Sequence, residues 1–413
     1  MTAAYHRVKE NGGACGIDGM KASELQSYLN HAWSDLKTAI MEGNYVPQAV
    51  KRVEIPKPNG GVRLLGIPTV FDRMLQQAIN QVLHPLWEST FSEHSYGFRP
   101  KRNCHQAVSK ALTYVNTGLT HIVDIDLEKF FDRVNHDYLM HLLGKRIVDK
   151  RVLSLIGKYL RSGVMLGGIF SKTEEGTPQG SPLSPLLSNI VLDVMDKELE
   201  SRGHKFVRYA DDFSIYCSNK RGATRVFASI SKFINEVLHL QINKLKSGIR
   251  RPSQMLLLGF GFHIKTKGNW GIRISPKSIV RMKDKVRQLT QRKQPYSMEY
   301  RLNKVYSMQS GWFHYYKIAD CKTHLERIDE WTRSRLRMCE WKLWKRIKTR
   351  IKRLKSLGVS PDQSYQWANT RKGYWRIAHS PILMTSLTNN WFKRQGYVSL
   401  TELYKRYKGK ARS

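Results

Sequence analysis

Two adjacent aspartates, Asp211 and Asp212, stand in the tetrapeptide Tyr209-Ala-Asp-Asp212. Their flanks, Phe206-Val-Arg-Tyr209 and Phe213-Ser-Ile-Tyr216, alternate as paired strands, which predicts a hairpin with both acids at its tip. Neighbouring carboxylates on a tight turn repel each other unless a cation lies between them. Hard divalent ions such as Mg²⁺ take oxygen ligands and suit that position, with Mn²⁺ as a substitute. A third ligand is expected from Ile122-Val-Asp-Ile-Asp-Leu-Glu-Lys-Phe-Phe131, where Asp124, Asp126 and the following Asp132 compete. The period of two in a strand puts Asp124 and Asp126 on one face, so alternation does not separate them. Asp126 lies nearer the strand's carboxyl end and Asp132 suits the cap of a following helix, so Asp126 is the favoured ligand. The chemistry implied is nucleotidyl transfer, in which two ions about 3.5–4 Å apart activate a primer 3′-hydroxyl and steady a leaving pyrophosphate.

Such a site needs a pocket for the incoming nucleotide. Lys57 and Arg63 flank a hairpin turn at Pro58-Asn-Gly-Gly61, where flexible cations would clamp a triphosphate. Gly176-Thr-Pro-Gln-Gly180 supplies a loop without bulky side chains, and Gln179 has an amide to offer a base or sugar edge. Phe131, five residues after Asp126, would lie beneath the sugar and exclude a 2′-hydroxyl, although a lone aromatic after a strand is more often core.

The elements around these residues are legible from pattern. Residues 1–50 read as short helices interrupted by a glycine-rich turn at 12–19. Val50–Pro68 alternates as a hairpin, and a helix near Asp72 carries Met74, Leu75, Ala78, Ile79, Val82 and Leu83 on one face. His121–Asp126 is a strand by its β-branched content; Asn135 and Asp149 are helix caps. The stretch Pro182-Leu-Ser-Pro185 opens a long helix, because proline is tolerated in a helix's first turn. A further helix is predicted over about 223–238 and a further hairpin over 255–274. Strands interleaved with helices make this body mixed α and β.

Beyond about residue 275 the chain turns helical and basic. Residues 321–360 hold 13 Lys+Arg against 4 Asp+Glu, interleaved with Trp331, Trp341 and Trp344. The tryptophans read as helix core. Arg333, Arg335 and Arg337, then Lys345, Arg346, Lys348 and Arg350, have few acidic partners and are expected to form a phosphate-tracking face.

The whole composition points the same way. The 413 residues carry 70 Lys+Arg against 33 Asp+Glu, a net charge of +37. A surface so self-repelling calls for a polyanion, and nucleic acid is the leading partner. No apolar run is long enough to span a bilayer and no signal peptide opens the chain, so no membrane role is expected. Five scattered cysteines without a C-x-x-C pair argue against structural zinc and fit reduced thiols in a cytoplasmic protein.

Taken in order, these motifs resemble the reverse transcriptases encoded by bacterial group II introns, most of all the compact maturase type without an endonuclease domain. The likeness rests on Val53-Glu-Ile-Pro-Lys-Pro58, Ser95-Tyr-Gly-Phe-Arg-Pro100, Val123–Asp132, Gly176–Gly180 with Leu183-Ser-Pro185, and Arg208-Tyr-Ala-Asp-Asp212. It continues through Asn243, Lys246-Ser247, Leu258-Gly-Phe260 and Gly311-Trp-Phe-His-Tyr-Tyr-Lys317. The resemblance implies a mixed α+β right-hand polymerase, with fingers and an antiparallel palm over 1–265, a helical thumb over 275–350 and a small helical basic DNA-binding region over 351–413. It implies RNA-directed DNA synthesis with two Mg²⁺ on Asp126, Asp211 and Asp212. Lys57 and Arg63 match triphosphate contacts, Gln179 a nucleotide contact, Phe131 the sugar gate, and Lys246 a lysine that protonates pyrophosphate. Arg99 belongs to a motif expected to touch nucleic acid. Partners implied are intron RNA as template and splicing partner, a DNA primer or target, and deoxynucleoside triphosphates; a homodimer would fit the wide basic surface. The implied location is the bacterial cytoplasm, on the nucleoid when bound to DNA.

Three departures stand out. Related proteins carry an extension before the position of Met1, so template jumping attributed to that extension stays open. Ser181 stands where a second glycine is common, and no Cys/His cluster follows the thumb, so DNA cleavage by this chain is not expected. Two other readings compete: an RNA-binding splicing factor with an idle polymerase site, and a reverse transcriptase recruited to host defence or repair.

Overall fold

The computed structural model describes residues 1–56, 60–166, 168–172, 175–177, 180–265 and 268–410. The chain divides into two compact units, Met1–Met255 and Leu256–Ser413.

The first unit contains strands β1 (Val50–Pro56), β2 (Val62–Ile67), β3 (His121–Asp126), β4 (Val164–Leu166), β5 (Ile169–Ser171), β6 (Lys205–Tyr209), β7 (Asp212–Cys217) and β8 (Gly248–Arg250). One sheet has the order β2-β1-β4-β5 and joins the expected hairpin to two short strands that the sequence did not announce. The other has the order β6-β7-β3-β8 and is antiparallel throughout. This second sheet is the palm-like one. In β3 Val123 and Ile125 are buried on one face, whereas the other face runs from fully buried Ile122 to half-buried Asp124 and Asp126 at the strand's end.

Helices cover the apolar face. The helix Ser184–Ser201 starts with Pro185 in its first turn, as expected, and buries Leu186, Leu187, Ile190, Val191, Met195 and Leu199 in the same core as Ile125, Phe206, Phe213 and Ile215. The helix Lys220–Glu236 adds Ile230 and Ile234. Each such side chain contributes about 1.5–3 kcal/mol by leaving water. Helix starts follow the capping residues: Asn135, Asp149 and Asn219 each accept a backbone N–H of the first turn. Asp132 does not cap. The short helix Phe130–Arg133 begins before it, with Lys129 at the cap position in a left-handed conformation.

The second unit is helical around the small sheet β9 (Leu256–Leu257), β10 (Phe260–Ile264) and β11 (Trp270–Ile274). Phe260 stacks on Tyr315, and the Tyr315 hydroxyl donates to Leu258 O at 2.9 Å. The hairpin expected over 255–274 therefore packs with the helix Met298–Tyr316, so the boundary between units falls at 255/256. Trp341 and Trp344 are core, packed with Leu336, Leu354 and Phe392. Buried Asp329, on the helix Lys322–Leu343, accepts from Leu400 N, Thr401 N and Thr401 Oγ1, and thereby fastens the start of the last helix, Leu400–Lys410. Among the described residues no helix is long and apolar enough to cross a membrane.

Candidate active site

The register of the palm-like sheet decides which acids meet. Asp126, the last residue of β3, lies directly opposite Asp212, the first of β7. Tyr209 closes β6 against Asp212 from the other side, and Ala210-Asp211 makes the turn, with Ala210 at φ +56°. Three carboxylates thus gather at one end of the sheet. Asp124 is drawn away: its Oδ2 accepts from Arg250 Nε of β8 at 2.7 Å. Asp126 carries a different cation, since Lys246 Nζ lies 3.3 Å from Oδ2 and 3.4 Å from Oδ1.

Electrostatics mark the cluster. Burial, then Asp211, Asp126 and Asp124 in turn, push the Asp212 carboxyl up to about 7. Asp212 has solvent access, yet it sits among acids at the sheet's end, so its neighbours cost it much of the benefit of water. The Asp211 carboxyl is raised by burial and by Asp126, and is eased by Arg63 and Lys246. All donors here are carboxylate oxygens, as a hard divalent cation prefers. Among the described residues no three acidic, cysteine or histidine side chains are close enough to share an ion. The acids nonetheless fit such an ion chemically, because crowded negative charge, eased here by Lys246 and Arg63, is what a divalent cation relieves further.

A cleft of about 1860 Å³ opens beside them, lined by Asp126, Asp211, Phe131, Arg63, Lys246 and Asn243, among others. Asn243 N donates to Asp126 O at 2.9 Å, and Ser247 Oγ accepts from Asp126 N at 2.9 Å, so the segment carrying Lys246 is stitched to the end of β3. Phe131 is half-buried, set edge-on to Phe130 with ring centres 5.2 Å apart. Thr177 N donates to Phe131 O at 2.6 Å. A Cβ on Gly176, at φ +92°, would lie 2.8 Å from Phe131 O, so only glycine lets this loop seat on the Phe131 backbone. Ser181, the departure from the family pattern, is buried and donates its hydroxyl to Gln76 Oε1, tying the loop's end to the helix Val70–Glu88. Lys57 and Gln179 lie outside the described residues.

Sequence reasoning missed the residues beneath the Asp-Asp turn. Arg208 is fully buried. Its Nε and Nη2 hold Asp196 at 2.5–2.9 Å, while Nη1 donates to Asn189 Oδ1 at 2.8 Å and to Ala210 O at 3.1 Å. Asn189 Nδ2 reaches Gly97 O at 3.0 Å. A Cβ on Gly97 would lie 2.2 Å from Ala210 N. The signal was present: Arg208 shares the inward face of β6 with Phe206, and a charge there requires a partner.

The remaining basic residues divide. Lys345, Arg346 and Lys348 are exposed and Arg333 is half-buried. Arg99, expected to touch nucleic acid, is instead buried: it donates to the Glu88 carboxylate and to the carbonyls of Ser92 and Ser95. Arg337 is buried, donates to Leu387 O at 3.0 Å, and is pushed down to about 10 by burial and by Arg333. Arg335 donates to Thr290 Oγ1 at 3.0 Å, and Arg350 to Trp344 O at 3.0 Å with its guanidinium 4.5 Å from the Trp341 ring. These four brace the fold, so the expected continuous face is broken.

Residues 55–262 match the family described as "Reverse transcriptase (RNA-dependent DNA polymerase)". The chain belongs to the reverse transcriptase family. Residues 279–358 match "Group II intron, maturase-specific domain". Relatives in this family include Protein YkfC of Escherichia coli (strain K12), 40% identical over 191 residues that cover 45% of this chain and 50% of that one. The group II intron-encoded protein LtrA of Lactococcus lactis is 35% identical over 206 residues, 50% of this chain and 34% of that one. The putative COX1/OXI3 intron 2 protein of Saccharomyces cerevisiae is 32% identical over 242 residues, 57% and 27%. The matches span half or less of the length of these relatives.

Proposed function

We propose that this chain extends a DNA primer on an RNA template, with its own intron RNA as cognate partner and splicing substrate. The observation that carries the reading is the cross-strand pair Asp126–Asp212 beside Asp211, at the edge of a cleft bordered by Arg63 and Lys246. Asp126, Asp211 and Asp212 would hold two Mg²⁺, which supply charge for activating the primer hydroxyl and for the departing pyrophosphate. Arg63, together with Lys57, meets the triphosphate. Lys246, paired with Asp126 in this structure, would be the group that donates a proton to the leaving pyrophosphate. Phe131, clamped through its carbonyl, excludes the 2′-hydroxyl, and Gln179 contacts the nucleotide. Residues 1–265 act as fingers and palm, 275–350 as a thumb that grips intron RNA, and 351–413 as a DNA-binding end with a role in mobility, in a cytoplasmic ribonucleoprotein.

The test is primer extension by the full chain with deoxynucleotides and Mg²⁺ on an RNA template. Wild type should extend; Asp211→Asn or Asp126→Asn should lower the rate by at least about 10³-fold, with RNA affinity within about twofold of wild type. A wild-type protein that splices intron RNA and makes no cDNA would favour the second reading, an idle polymerase site. The ion pair between Lys246 and Asp126 is the one observation on that side.

A further inference from the structure

We infer that His136 is a positioning residue for nucleotide choice: its imidazole orients the peptide that clamps Phe131, and so sets discrimination against a 2′-hydroxyl. The inference rests on the polymerase reading above and names what makes its sugar gate rigid.

Phe131 stands on a weak base. The short helix Phe130–Arg133 has four residues, too few for any i→i−4 bond within itself, and Lys129 before it is left-handed at φ +48°. Phe130 anchors one side of this turn in the core. Successive helix residues point about 100° apart, so that anchor leaves Phe131 at the cleft to be steadied by other groups. Steadiness matters here. A gate that tells a hydroxyl from a hydrogen works only if its ring stays within about 0.5 Å of its place.

The steadying groups come from residues 175–177. Gly176 N donates to Val134 O at 2.8 Å, and Glu175 forms a bridge with Asn135. A Cβ on Gly176 would lie 2.9 Å from Asp132 Cα, so the two backbones are in direct contact. The peptide between Gly176 and Thr177 is the link to the gate. Its N–H, on Thr177, donates to Phe131 O at 2.6 Å. Its carbonyl, on Gly176, lies 2.7 Å from Nε2 of His136. A carbonyl only accepts, so Nε2 carries the proton in this contact. A peptide is planar, and fixing its carbonyl therefore fixes the direction of its N–H. His136 thus aims the one hydrogen bond that holds the Phe131 carbonyl.

Burial marks the same residue. His136 opens the helix His136–Gly144 and is 5% exposed. An imidazole withdrawn from water costs free energy unless it is hydrogen-bonded, and an apolar side chain would fill the position without that cost. The bond it makes goes to the loop across from it, not to its own helix.

The experiment measures single-nucleotide extension by the full chain with a deoxynucleotide and its matching ribonucleotide, read as the ratio of the two kcat/KM values. His136→Leu keeps the burial and removes the donor, so the ratio should fall about three- to tenfold. The KM for primer–template should stay within about twofold of wild type. His136→Gln, whose amide nitrogen takes the place of Nε2, should restore the ratio. In Phe131→Ala no ring remains to be positioned, so adding His136→Leu should lower the ratio no further. Should His136→Leu fail to fold in thermal melts, His136→Asn, whose amide stops short of Gly176, serves as the donor-loss variant. A ratio unchanged by loss of the donor, or lowered equally with and without the Phe131 ring, would overturn the inference and leave the polymerase reading intact. A wild type that extends with neither nucleotide would overturn both.

Discussion

At the scale of single residues, the site is defined by how charge is shared out. Asp124 has Arg250 and Asp126 has Lys246, whereas Asp212 is crowded by three other acids and eased by Lys246 from a distance. Lys246→Ala should lower kcat about 10²-fold or more while primer affinity stays near wild type, as loss of a general acid does; equal loss of binding would mean a phosphate contact instead. Asp193, near the same core, gives a pH prediction. Burial and then Asp196 push its carboxyl up to about 6. The unfolded chain releases this proton near pH 4, the folded chain only near 6. Stability should therefore fall as pH rises through that window and stay level above it. Asp193→Asn removes the fall, so its advantage over wild type should be roughly 1–2 kcal/mol at pH 7 after screening and should vanish near pH 4. Denaturant melts at the two pH values measure it.

At the scale of elements, strand register and close backbone approach do the positioning. The turn of Asp211 is held from below by Arg208, itself balanced by Asp196, and from the side by Gly97. Gly97→Ala forces a methyl group into Ala210 N, so the turn or the loop must move. Extension activity should fall at least about tenfold with a thermal loss of about 1–3 kcal/mol; unchanged kcat would show the turn does not depend on that seat. The basic helices teach a different lesson. Arg333, Arg335 and Arg337 lie two residues apart, and successive ones point about 200° around a helix. Arg335 therefore faces away from Arg333 and Arg337, which share a face, and the structure sends Arg335 to Thr290 and Arg337 to Leu387.

At the scale of the molecule, a net charge of +37 predicts steep salt dependence of RNA binding. A footprint of 6–10 phosphates loses about 10³-fold or more in affinity between 50 and 200 mM salt. Replacing Lys345, Arg346 and Lys348 together by alanine should reduce the log–log slope by about 2–3 with little change in stability. Arg99→Ala should do the reverse, costing about 2–4 kcal/mol of stability and leaving the slope alone, because its donors are spent on Glu88 and backbone carbonyls. Filter binding across salt, paired with melts, separates the two.

The sequence alone determined the local elements and the chemical types at the site. β-branched content announced β3, alternation announced β6 and β7, caps announced helix starts at 135 and 149, and the Asp-Asp pair on a predicted turn marked two of the site's carboxylates. These signals are short-range, written within a few neighbouring positions. Which acid stands opposite the pair, which arginines are spent inside, and why glycine sits at 97 were settled only by tertiary structure. Register between β3 and β7 links residues more than eighty positions apart, and an arginine's fate depends on carbonyls brought near by packing. No pattern along one strand or one helix encodes either.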